Sequence, residues 1–379
     1  MTITLWTSLA RRDPGSFQHA SPTHRASLLN KSICKGAETN MQEIDQIQPG
    51  SALPKGAPYN PTTAVFYGQF VEAVYTMYGN DPSNLTPKPS ADFPKGYRLA
   101  AWIQMRDFIF ESTGLTFYGI IAQSQAEPNQ FILAIRGTST WVEWWDDLTS
   151  IRLVPFKNFG SAGFGFLKIY ETLEVVANPS GALTELAAPQ SLKSVGGFSQ
   201  QVAALVNRST EQPRAEAVAP ATSLAVTAHS LGAALATLYV LDNASSDQIP
   251  TPTVYTFASP RVGDLAFANA FNALGLTSWR IDNLPDIVPY LPLGFTHVNT
   301  LQQYDSGFKV WPSPGCWHAL TTYLSLIDPK LKPANDCQPP WAAAAAGPAE
   351  FAPAAAPAAT TLSVPSGQVT VNITVNVHE

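Results

Sequence analysis

Charge is scarce in this sequence: 13% of its 379 residues are Asp, Glu, Lys or Arg, against 45% hydrophobic and 11% aromatic. That balance supplies a large core and excludes a mostly disordered chain. The 22 basic and 28 acidic residues leave a net charge of −6 with no long basic run, which argues against nucleic acid as a partner. Uninterrupted apolar stretches of roughly 18 residues, the length of a membrane-spanning helix, are also missing. The longest candidate, Leu224 to Leu241, is broken by Thr227, His229, Ser230 and Thr237. Cysteine is nearly absent: Cys34, Cys316 and Cys337 are too few and wrongly spaced for a disulfide scaffold or a zinc site. Cys316 and Cys337 either close a loop in an oxidising compartment or remain ordinary thiols.

What is present divides the chain into four stretches. Residues 1–45 are polar, carry Arg11, Arg12 and Arg25, and lack the apolar centre of a secretory signal. They read as a flexible leader, with Met41 as a second start and a transit peptide as the other reading; secreted and cytoplasmic locations both stay open. Residues 46–338 have the texture of one domain. Helices are expected over Ala64 to Tyr78, Phe164 to Ala177, Ser199 to Asn207, Leu231 to Leu241 and Asp264 to Ala273. Strands are expected over Tyr97 to Met105, Thr116 to Gln123, Phe131 to Arg136, Ser223 to Ala228, Thr253 to Ala258 and Thr277 to Asn283. This alternation implies an α/β class with a sheet that is mostly parallel in its centre. Residues 339–367 are Ala/Pro-rich and read as a semi-rigid spacer. In 368–379, Val369, Val371, Ile373, Val375 and Val377 alternate with polar residues, a strand signal that needs a sheet edge to join; an idle tail is the alternative.

The most informative text is SLAVTAHSLGAALATLYVL, an apolar strand, a turn at Ser230 and a small-residue helix. A serine on such a turn is pushed out of the sheet edge, and the residues two before and two after it must be small because the backbone folds tightly there. Ala228 and Gly232 meet that demand. A serine hydroxyl needs a base, and the base needs an orienting carboxylate. Asp286 lies just past the strand Thr277 to Asn283, where active sites assemble in parallel sheets, so it is favoured over Asp282 inside the strand. His318, at a loop opening a helix, is favoured as the base over His297 in the strand-like FTHVN. Ester hydrolysis passes through an oxyanion that backbone N–H groups stabilise. Leu231 supplies one N–H by its place after Ser230, and the turn Gly137-Thr138 fits as the source of another. Beyond it, Trp141, Trp144 and Trp145 fall on one helical face, as a buried amphipathic helix or as a lid that meets lipid.

FILAIRGTSTWVEWWDDL, AHSLGAALATL, YTFASPRVGD, DNLPDIVPYLP and CWHALTTYL, in that order, resemble the class 3 lipases, an α/β-hydrolase family that includes fungal triacylglycerol lipases and some feruloyl esterases. The resemblance runs over about residues 60–330. It implies the α/β-hydrolase fold, Ser230 as nucleophile, Asp286 as orienting acid, His318 as base, Thr138 and Leu231 as oxyanion donors, and a lid over Ser139 to Asp147. It further implies a lipid ester substrate at an oil–water interface, and a chemistry that requires no cofactor and no metal. Ala228, Ala258 and Gly163 depart from the family pattern, the first two replacing glycines and the third a histidine. A soluble carboxylesterase or feruloyl esterase, a phospholipase, and a lipid-binding module on a hydrolase scaffold are the rivals. The last would be expected to lack a triad member, and none is lacking here.

Overall fold

The computed structural model describes residues 56–106, 114–138, 152–179, 188–208, 222–245, 249 and 252–341. Backbone contacts divide the chain into Met1–Gln338 and Pro339–Glu379, and the elements named here belong to the first unit. The leader 1–45 and the terminal segment 368–379 lie outside the described residues. The strands are β1 (Tyr97–Arg106), β2 (Leu115–Ser124), β3 (Gln130–Ile135), β4 (Leu153–Pro155), β5 (Ser161–Gly163), β6 (Glu174–Ala177), β7 (Gln190–Ser191), β8 (Ser223–His229), β9 (Thr253–Phe257), β10 (Ser278–Asn283) and β11 (Thr300–Tyr304). The helices are α1 (Pro61–Asn80), α2 (Phe164–Tyr170), α3 (Phe198–Arg208), α4 (Leu231–Ala244), α5 (Leu265–Ala273), α6 (Pro314–His318) and α7 (Leu320–Ile327).

Nine strands form one sheet in the order β11-β10-β9-β8-β3-β2-β1-β6-β7, and β4 pairs with β5 apart from it. From β3 through β8, β9, β10 and β11 the pairing is parallel. From β3 outward through β2, β1, β6 and β7 it is antiparallel. Successive residues of each strand point to opposite faces. In β3, Phe131, Leu133 and Ile135 therefore join one buried cluster with α2, α3, α4 and α5, while Ile132 and Ala134 join the other with α1 and α7. Strands covered on both faces read as nearly continuous apolar runs, which is why β8 and β3 were legible as text. This is the α/β-hydrolase arrangement, with helices on both faces of a sheet that is parallel around β8.

Local chemistry sets the helix ends. Asn60 caps α1, its side chain accepting from Thr63 N–H, and Pro61 occupies the first turn, where no N–H is needed. Asp264 caps α5 in the same way through Phe267 N–H. Every residue of α4 from Leu231 to Asn243 is buried. Such an all-round buried helix is a core element, and its glycine and alanines let it approach the sheet.

Three expectations are corrected. The helix expected over Phe164 to Ala177 ends at Tyr170, and Glu174–Ala177 is instead strand β6, paired with Gln104 to Ala101 of β1. Val175 and Val176 suit a buried helix turn or a strand equally well, and the distant partner decides. FTHVN is not a strand: it holds one isolated bridge, Thr296 to Gly263. Around His318 there are two short helices that meet at Ala319, with His318 closing the first of them rather than opening one.

Candidate active site

Strand β8 delivers Ser230 to the carboxyl end of the parallel half of the sheet. The serine has φ 58° and ψ −127°, a backbone region that an L-residue occupies only when its surroundings enforce it. They do so from both sides. Ser230 N–H donates to Phe257 O at 3.0 Å. Two residues on, Gly232 packs so tightly against β3 that a Cβ there would lie 2.3 Å from Arg136 O. Ala228, in place of the usual glycine, is fully buried inside β8, where a methyl is accommodated. Ala258, the second replaced glycine, has φ 51°, a conformation that glycine takes without strain.

The side chains of Ser230, His318 and Asp286, 32 to 88 residues apart in pairs, meet in a buried line. Ser230 Oγ–H donates to His318 Nε2 at 2.8 Å, and His318 Nδ1–H donates to Asp286 Oδ2 at 2.8 Å. Asp286 Oδ2 also accepts from Tyr323 Oη–H at 2.6 Å, while Oδ1 accepts from Val288 N–H at 3.0 Å. Burial alone would push this carboxyl up. The His318 charge, its hydrogen bond, the Tyr323 hydroxyl and the Val288 amide together outweigh burial and hold it below the usual carboxylate range. Tyr323 is driven the other way, well above the phenol range, by burial and by the Asp286 charge, so it stays a donor. Its oxygen in turn accepts from Asn283 N–H at 3.2 Å, and Asn283 Nδ2 donates to Trp317 O at 2.8 Å, tying the end of β10 to the His318 loop. Asp282, the rejected carboxylate, pairs instead with buried Arg280 on β10.

A second relay underlies the first. Gly137 N–H donates to Tyr75 Oη at 2.7 Å, Tyr75 Oη–H to His229 Nδ1 at 2.8 Å, and His229 Nε2–H to His318 O at 2.8 Å. The imidazole of His229 must be neutral to play both parts, and burial, aided by the nearby His318, pushes its pKa down to about 3. Tyr75 thereby links α1, the turn after β3, the serine turn and, through His229, the backbone of His318. No spacing rule points to it, because its partners lie 62 and 154 residues away.

Thr138 and His318 line one cavity of about 330 Å³, together with Tyr75, His229, Leu320 and Thr321. The Gly137 backbone abuts Ser230 so closely that a Cβ there would sit 2.7 Å from Ser230 Cβ. Thr138 Oγ1 is buried without a hydrogen-bond partner among the described residues, and Leu231 opens α4, so its N–H has no acceptor within the helix. Trp141, Trp144 and Trp145 lie outside the described residues. His297 does not join the line: burial, then the charges of Arg280 and Arg261, push its pKa down to about 3. Among the described residues, no group of three or more His, Cys, Asp or Glu side chains is placed to hold a metal ion.

Cys316 and Cys337 are joined as a disulfide, two residues before His318. The bridge closes a chain segment whose free ends would otherwise be entropically favoured on unfolding. Replacing Cys337 by serine is expected to lower stability by about 3 kcal/mol on loop-closure entropy. Urea unfolding should show a lower midpoint, with a slope no smaller than that of the parent because the uncrosslinked chain unfolds to a looser state; an unchanged midpoint would contradict the prediction.

Residues 132–295 match the family described as Lipase (class 3). Phospholipase A1-II 1 of Oryza sativa subsp. indica is 31% identical over 256 residues, covering 62% of this chain and 58% of that protein. Phospholipase A1-II 3 of Oryza sativa subsp. japonica is 30% identical over 286 residues, covering 68% and 60%. The chain thus spans less than two thirds of the length of these curated relatives. Among solved structures, the Rhizomucor miehei lipase propeptide complex is similar at 23% identity, covering 68% of this chain and 75% of that one with a TM-score of 0.46. From β3 through the Ser230 turn to the Asp286 loop, residues 132–295 belong to the class 3 lipase family.

Proposed function

We propose that residues 46–338 form a serine ester hydrolase that cleaves lipid carboxylic esters by acyl transfer. The observation that carries this reading is the unbroken line Ser230–His318–Asp286, with both hydrogen bonds at 2.8 Å. Ser230 Oγ attacks the ester carbonyl carbon while His318 Nε2 takes its proton. The carbonyl oxygen becomes an oxyanion facing the N–H groups of Leu231 and Thr138, each worth about 3 kcal/mol to the transition state. Collapse expels the alcohol, which receives the proton from His318 and leaves an acyl-serine. Water, deprotonated by the same imidazole, then releases the acid. Asp286 keeps the Nδ1–H tautomer in place and stabilises the imidazolium.

The lipid part of the proposal rests on exposed apolar surface. The chain around Asp286 exposes the large apolar side chains of Leu284, Ile287, Tyr290 and Leu293. Exposed apolar side chains cost free energy in water and favour an oil–water interface. Triacylglycerol is the first reading. The names of the two rice relatives support phospholipid as the second.

The test is a set of p-nitrophenyl esters from acetyl to palmitoyl, with a triolein emulsion and phosphatidylcholine mixed micelles as further arms. Long-chain and emulsion activity is expected. Ile287→Asp/Leu293→Asp should lower the emulsion rate about tenfold, by removing apolar area from the interface, and leave p-nitrophenyl butyrate nearly unchanged. Activity confined to short soluble esters would overturn the lipid assignment and leave an esterase; hydrolysis of the micelles alone would move the substrate to phospholipid.

A further inference from the structure

Arg136 heads the fully buried side chains in size among the described residues, at 1% exposure, and none of the ion pairs there includes it. Its guanidinium donates from Nε and Nη2 to Phe117 O at 3.1 and 2.9 Å, and from Nη1 to Gly137 O at 2.6 Å. The rings of Tyr78 and Tyr118 cover its two sides, with centroids 3.6 and 4.2 Å away. A buried cation with no carboxylate partner among the described residues is costly, and an apolar side chain of similar length would fill the same volume without that cost. Core packing therefore does not explain a guanidinium at this position.

Its hydrogen bonds do: two satisfy Phe117 O of β2, and the third, to Gly137 O, bears on the site. The carbonyl of Gly137 and the N–H of Thr138 belong to one peptide group, and the only cis peptide bond among the described residues is Leu291-Pro292. In a trans peptide the C=O and N–H point in opposite directions. Anchoring the carbonyl inward on Arg136 therefore turns the Thr138 N–H outward, to the side where Thr138 lines the cavity with His318. The Gly137 N–H is tied separately to Tyr75, so the turn is fixed on both flanks. A charged donor on a carbonyl also draws electron density from the attached N–H and strengthens it as a donor.

We propose that Arg136 is a positioning residue for oxyanion stabilisation: it orients and polarises the Gly137–Thr138 peptide, whose N–H meets the charge that develops on the ester oxygen. The inference rests on the ester-hydrolase reading above. Arg136 touches no reacting atom; it acts through that one peptide group.

The test separates charge development from ordinary binding. Octaneboronic acid forms a bond from Ser230 Oγ to boron as the serine proton passes to His318 Nε2. The boron becomes tetrahedral and anionic, with an oxygen where the ester oxyanion would lie. Octan-1-ol occupies the site through its chain and forms no such adduct. Arg136→Met, verified as folded by circular dichroism, is expected to weaken the boronic acid about tenfold and lower kcat similarly, while octan-1-ol inhibition and KM stay within about twofold. Arg136→Lys keeps a positive charge but cannot brace both carbonyls, so a smaller loss with the same selectivity is expected. Should the methionine variant fail to fold, the lysine variant decides. Unchanged boronic acid affinity in a folded variant, or equal weakening of both inhibitors, overturns the proposal. A wild-type protein that neither binds the boronic acid nor hydrolyses any ester overturns the underlying reading instead.

Discussion

With Ser230 replaced by alanine, ester hydrolysis is expected to fall about a millionfold, to the level that binding and the remaining donors sustain. Three features make this a test of chemistry rather than of folding. The hydroxyl makes its hydrogen bond to His318, not to the core. The unusual backbone at Ser230 is held by Phe257 O and by the packing of Gly232, neither of which involves the side chain. Alanine, like serine, is an L-residue with a Cβ, so the turn carries the same strain in both proteins. The unfolding midpoint of Ser230→Ala should therefore stay close to that of the parent. A variant that keeps more than about one hundredth of the activity would remove Ser230 from the mechanism.

Asp286→Asn is expected to lower kcat about ten-thousandfold with little change in KM. The carboxylate receives the His318 Nδ1–H and the Tyr323 hydroxyl on one oxygen and the Val288 amide on the other. An asparagine of the same shape must turn its NH2 toward one of these donors. If it faces the imidazole, His318 takes the opposite tautomer, and its Nε2 then carries a proton and cannot accept one from Ser230. Stability should change with pH as well as rate. The folded carboxyl is held below its ordinary value of 3.8, so its contribution is fully present above that value and is lost as pH falls through the lower folded one. Asparagine abolishes that component. Acid unfolding curves of the two proteins should converge below pH 3.8 if the assignment is right, and parallel curves with equal kcat would contradict it.

The parts of this site readable as text were those governed by local rules. The apolar run of β8, the small residues around Ser230 and the buried face of α4 each demand particular residue types at fixed offsets, so the serine turn was legible. Asp286 was separable from Asp282 because a residue just beyond a parallel strand reaches the sheet edge, whereas one inside the strand is committed to its neighbours; Asp282 meets Arg280 there. The ground that set His318 above His297 did not hold, because His318 closes a helix and FTHVN is a loop rather than the strand it resembled. Contacts between distant segments were not legible. Nothing in the text marks Tyr75, because its partners come from the turn after β3 and from the serine turn. Tyr323 and Arg136 read as ordinary core residues until the carboxylate and carbonyls they serve are seen. Strand β6 was lost inside an expected helix for the same reason, since β1, some 70 residues earlier, supplies its hydrogen bonds. The spacing of Cys316 and Cys337 permitted a bridge without requiring one.

These two groups of residues divide the work. The locally encoded ones bring a hydroxyl, an imidazole and a carboxylate to one end of β8. The distant ones set orientation: Tyr323 and Asn283 hold the acid, His229 holds the backbone of His318, and Tyr75 with Arg136 holds the turn that carries Thr138. A substitution in the second group should disturb rate more than substrate affinity, because it moves donors that matter most when charge develops.

Covalent labelling tests Ser230 as the nucleophile. A long-chain fluorophosphonate should form one phosphonyl–serine bond with release of fluoride. Peptide mapping by mass spectrometry should place the adduct on Ser230, with labelling slowed in Asp286→Asn and absent in Ser230→Ala. Stoichiometric labelling of another residue, or none at all in a folded and ester-hydrolysing protein, would contradict the account.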